Sequence, residues 1–121
     1  MRYLIVALII GLQSFSASAQ TLSFGCKIFD RLGKQKPMEM KLFVDLTNEK
    51  GYMVGNVGVS EMPVIMGDYH ITFIEIAGNG NVMTTTIDLR AFNKKWYKVV
   101  HSRHFLDELG WMPSQWIGKC K

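Results

Sequence analysis

From Met38 to Leu46 apolar and polar residues take turns. Met38, Met40, Leu42, Val44 and Leu46 fall on one side, and Glu39, Lys41, Phe43 and Asp45 on the other. A period of two is that of a strand with one face buried, because successive side chains leave a pleated backbone on opposite sides. The same alternation sets Tyr69, Ile71 and Phe73 against His70, Thr72 and Ile74, and runs on to Ile76. In 82–89, Met83, Ile87 and Leu89 share a face around the run Thr84-Thr85-Thr86. Residues 96–103 are rich in aromatic and β-branched residues, which suit a pleated surface. Tyr52–Val59 also alternates, and its internal Gly55 and Gly58 predict a bulge or bend within one strand.

Turn residues separate these runs. Asn48-Glu49-Lys50-Gly51, Met66-Gly67-Asp68 and Gly78-Asn79-Gly80-Asn81 lie between them, and Gly and Asn tolerate the positive φ that tight hairpins demand. The pattern predicts seven or eight strands, near 22–29, 39–46, 52–59, 62–66, 69–77, 81–89, 96–103 and 114–118, with one short helical turn within 104–112. The fold class is all-β. A small antiparallel meander closing into a barrel is the simplest architecture, and a two-sheet sandwich is the alternative.

The first residues break this pattern. Met1-Arg2-Tyr3 carries one positive charge, Leu4–Leu12 is an aliphatic run of nine interrupted only by Gly11, and Ala17-Ser18-Ala19 supplies small residues before Gln20. That is the layout of a secretory signal peptide over 1–19, cleaved after Ala19. Nine residues of helix rise about 14 Å, too little to span a bilayer, which takes roughly 20 residues. Residues 20–121 then form a single β-rich domain, destined for the periplasm or for secretion, with no membrane span after cleavage. Both cysteines, Cys26 and Cys120, lie in this part, and an even count in an exported chain predicts a disulfide. Such a bond would bring the first and last strands together and so favours closure.

The net charge is +4, or +3 once Arg2 has left with the leader. The basic residues are spread along the chain, with Lys94, Lys95 and Lys98 as the one local cluster, so no nucleic-acid partner is expected. The densest polar set is His101-Ser102-Arg103-His104. Neighbours on a strand face opposite ways, so His101 is ill placed to activate Ser102, and no Gly-x-Ser-x-Gly elbow surrounds it. His70, His101 and His104 do not form a metal-ligand spacing. The reading therefore expects no catalytic residue, no metal and no cofactor. A short loop through Asp107-Glu108-Leu109-Gly110 should return the chain to Trp111. It would gather His101, Arg103, His104, Trp111, Gln115 and Trp116 at one end of the barrel as a recognition face. The competing expectation is that the tryptophans plug the core and Arg103 is structural.

His101-Ser102-Arg103-His104 followed by Pro113-Ser114-Gln115-Trp116, Gly118 and Cys120 resembles the C-terminal pattern of small, uncharacterised bacterial exported proteins. The resemblance implies export and the terminal cysteine, and it brings no activity with it. Periplasmic lysozyme inhibitors share the plan of signal, small barrel and disulfide, which is an analogy of fold alone.

The function these features predict is a protein-binding or inhibitory module with a partner in the cell envelope. A lipocalin-like barrel for a small ligand is the alternative, and a hydrolytic enzyme is the least favoured class.

Overall fold

The computed structural model describes residues 20–55, 58–78, 80–90, 95–107 and 110–121, with only the backbone of 105–107 and 110–113. The segment predicted as a signal peptide, 1–19, lies outside the described residues. Eight strands follow one another: β1 (Thr21–Asp30), β2 (Met38–Asp45), β3 (Lys50–Gly55), β4 (Gly58–Met66), β5 (His70–Ile76), β6 (Val82–Asp88), β7 (Tyr97–Asp107) and β8 (Gly110–Cys120). Each pairs antiparallel with the next, and β8 pairs with β1, so the sheet is a closed barrel rather than a sandwich.

The period of two decides what fills it. Phe24, Cys26 and Ile28 of β1, Met40, Leu42 and Val44 of β2, Met62 of β4, and Ile71 and Phe73 of β5 are buried. Ile87, Val99, Trp116 and Cys120 complete this core from β6, β7 and β8. Closure leaves no free edge, and the interior of so small a barrel is filled by side chains.

The seam is held covalently. Cys26 and Cys120 are bonded, with their Cα atoms 4.0 Å apart and a sequence separation of 94. Gly25 and Lys121 exchange both backbone hydrogen bonds, each 3.0 Å, which makes Cys26–Cys120 the neighbouring close pair of the ladder. Gly118 lies opposite Ile28, where a Cβ atom would run into the Lys27 carbonyl and the Ile28 backbone. A side chain there would hold the two strands apart.

Two expectations need correction. Tyr52–Val59 is not one strand with an internal bend: β3 ends at Gly55, β4 begins at Gly58, and these two residues pair across a hairpin. Gly58 has φ of 125°, a region L side chains rarely enter, so the glycines mark the reversal itself. The gap between the strands expected near 52–59 and 62–66 is accordingly strand, and β4 runs unbroken to Met66. The helical turn expected within 104–112 is also replaced. β7 continues to Asp107 and β8 starts at Gly110, opposite it, in a long hairpin. Apolar and polar residues in 104–107 were too few to show a period, and pairing with β8 decides the conformation.

Candidate functional site

Position along β7 and β8 sorts the residues singled out in the sequence. His101, Arg103 and Trp116 point into the barrel, while His104 and Gln115 are exposed on its outer surface. The structure therefore brings the first three together and leaves the other two behind the sheet, as alternation along a strand requires. Trp111 pairs with Leu106 in the β7–β8 hairpin, and its side chain lies outside the described residues. All six were expected at one end of the barrel from the return of the chain, although alternation along the strand already sets His101 and Arg103 on one face and His104 on the other.

Across the barrel wall, Thr85, His101 and Trp116 are direct neighbours on β6, β7 and β8. Thr85 and His101 are both 2 % exposed. The Arg103 Nε–H donates to His101 Nε2 over 3.2 Å. A guanidinium only donates, so Nε2 is the accepting nitrogen and the ring proton sits on Nδ1, 2.7 Å from Thr85 Oγ1. Burial, and then the nearby Arg103 cation, push this imidazole down to about 4. It is a neutral ring at neutral pH. Arg103 is half-buried, its Cζ lies 5.2 Å from the centre of the buried Trp116 ring, and its Nη2 lies 3.6 Å from Met38 Sδ. A cavity of about 340 Å3 opens beside this group at the barrel mouth, lined among others by Met38, Met40, Met53, Met83 and Glu75.

A second cleft of about 450 Å3 is lined by residues of both faces, Asp30, Arg31, Leu32, Arg103, His104 and Gln115 among them. Among the described residues no three His, Cys, Asp or Glu side chains gather to hold a metal ion. Ser102 follows His101 on β7 and faces the other side of the sheet, so it is not the hydroxyl partner of that ring.

The chain matches no family model, no curated protein and no solved structure.

One feature escaped the sequence reading altogether. Lys98, Lys119 and Lys27 are direct cross-strand neighbours on β7, β8 and β1, and all three are exposed. Asp88 and Glu39 stand at the two ends of the row. In the next row Lys121 and Lys41 flank Gly25. The Trp96 ring lies under this patch, with Lys119 Nζ 5.5 Å and Lys121 Nζ 4.3 Å from its centre. Lys27, Glu39, Lys41, Trp96, Lys119 and Lys121 line a cleft of about 530 Å3. These lysines are scattered in sequence, and only the register of a closed barrel assembles them. Pairing of distant strands was the missing signal.

Proposed function

We propose that this protein is an exported protein-binding barrel that recognises an acidic surface on its partner. The observation that carries the reading is the ladder Lys98–Lys119–Lys27. Like charges placed directly opposite one another on adjacent strands oppose folding by a few tenths to about 1 kcal/mol per pair. Here one lysine has lysines on both sides, and a tryptophan ring lies beneath the patch. A partner carboxylate set over the row would relieve that repulsion, and the half-exposed Trp96 offers flat apolar area among the cations, a combination enriched at binding hot spots. A basic patch also speeds encounter with an acidic partner. The disulfide between Cys26 and Cys120 accords with an oxidising compartment, and with the leader read at 1–19 it supports a periplasmic or secreted location.

Capture from envelope extract tests the proposal, with the bound protein identified and the complex remeasured with purified components. The expected result is a stoichiometric complex with an acidic protein, weakened by salt and lost in Lys119→Glu, but kept in Lys50→Gln, whose lysine lies on β3 paired with Glu61 at 3.0 Å. A complex indifferent to Lys119→Glu, or no complex at low salt, would overturn it.

A further inference from the structure

Four of the chain's eight methionines, Met38, Met40, Met53 and Met83, line the mouth cavity together with His101 and Arg103. Met40 is buried and the other three are half-buried. They come from β2, β3 and β6, so their thioethers reach the cavity from different parts of the wall.

The contacts of Arg103 show what this environment favours. Nε and Nη2 share one edge of a guanidinium. In Arg90 that edge meets the two carboxylate oxygens of Asp88, at 3.0 and 2.9 Å. In Arg103 the same edge meets His101 Nε2 at 3.2 Å and Met38 Sδ at 3.6 Å. An imidazole nitrogen and a thioether sulfur therefore converge, lone pairs first, on one positive group. The face of Trp116 adds its negative quadrupole to the same cation. The remaining ring proton of His101 is directed at Thr85, and this fixes the orientation of Nε2 as an outer partner fixes a ligating histidine.

We propose that the mouth binds a soft monovalent cation of the Cu(I) or Ag(I) class, held by His101 Nε2, Met38 Sδ and a second thioether from Met40, Met53 or Met83. A donor set of thioethers and one imidazole selects such ions over Zn(II), Mg(II) or Ca(II). Glu39 and Glu75 border the cavity and supply negative charge without completing a hard-metal set. Methionine is flexible enough to close around an ion. The ion takes the position of the Arg103 guanidinium, which has somewhere to go: Arg103 also lines the second cleft, where Asp30 offers a carboxylate. No protein partner is required, so failure of the acidic-partner reading leaves this one standing.

The probe is Ag(I) as its nitrate in chloride-free buffer, titrated into the disulfide-intact protein. Calorimetry gives the affinity, and the methionine methyl resonances give the place. Expected are one ion per chain, shifts at Met38 and at least one of Met40, Met53 and Met83, and none at the exposed Met66. Met38→Leu, close in volume, should weaken binding roughly tenfold or more with little change in melting temperature. Arg103→Gln should tighten it, because the competing cation is gone. No binding at micromolar protein, shifts confined to Met66, affinity unchanged in Met38→Leu, or weaker binding in Arg103→Gln would each overturn the proposal.

Discussion

Thr85 Oγ1 lies 2.7 Å from His101 Nδ1, and the two residues face each other directly across the β6–β7 ladder. The pair sits in the core, so the histidine remains neutral where an exposed one would take up a proton. Its folded pKa of about 4 is below the ordinary value of 6.5, so between these values the unfolded chain binds more protons. Stability is therefore complete above pH 6.5 and declines as pH falls towards 4, by up to about 3 kcal/mol from this group. Urea denaturation across that range in wild type and His101→Gln checks it: the decline should flatten in the variant. Nitrogen-15 spectra should show the Nδ1–H tautomer at neutral pH.

Gly118→Ala should open the seam. The added methyl meets the Lys27 carbonyl and Ile28, and overpacking of this kind costs roughly 1–3 kcal/mol. Gly78→Ala, where a Cβ meets nothing within 4 Å, should leave stability within about 0.5 kcal/mol. Denaturant midpoints of the two variants distinguish the sites.

Lys119→Glu should make the barrel more stable by a few tenths to about 1 kcal/mol at low salt. It turns two facing repulsions into attractions, while Lys121 keeps the closer contact with Trp96. The gain should shrink in high salt, where exposed charges are screened. Thermal melts at two ionic strengths measure it.

Trp116 is 5 % exposed and Trp96 is half-exposed. In variants keeping only one of these tryptophans, acrylamide should quench Trp96 readily and Trp116 poorly. Breaking the disulfide with Cys120→Ser should cost about 2–5 kcal/mol, read by urea denaturation beside a reduced wild-type control.

Much of the fold was legible in the sequence because the core depends on alternation. Met38 to Leu46 announced both its strand and its buried face, and Leu42 and Val44 are wholly buried. Cys26 and Cys120 pointed to the closure that β1 and β8 make. Expectation and structure part where a residue type has two uses. Gly55 and Gly58 serve a bulge or a hairpin equally well, and only pairing across the strands decides between them. His101 appeared as part of a polar strand end, yet its partners Thr85 and Arg103 make it affordable in the core. The lysine ladder was not legible at all: Lys27 and Lys119 become neighbours only through the register of β1 with β8.

The seam between β1 and β8 also orders events in time. Each hairpin from β1–β2 to β7–β8 joins neighbours in sequence and can zip locally. The last pairing must bring together strands whose cysteines are 94 residues apart, and the entropy of that closure is spent before any contact rewards it. Until β8 finds β1, the growing sheet has two open margins whose unpaired N–H and C=O groups are templates for a foreign strand. A chain cut within β8 is therefore a curved sheet with adhesive edges, prone to fibres or swapped dimers, rather than a slightly smaller barrel.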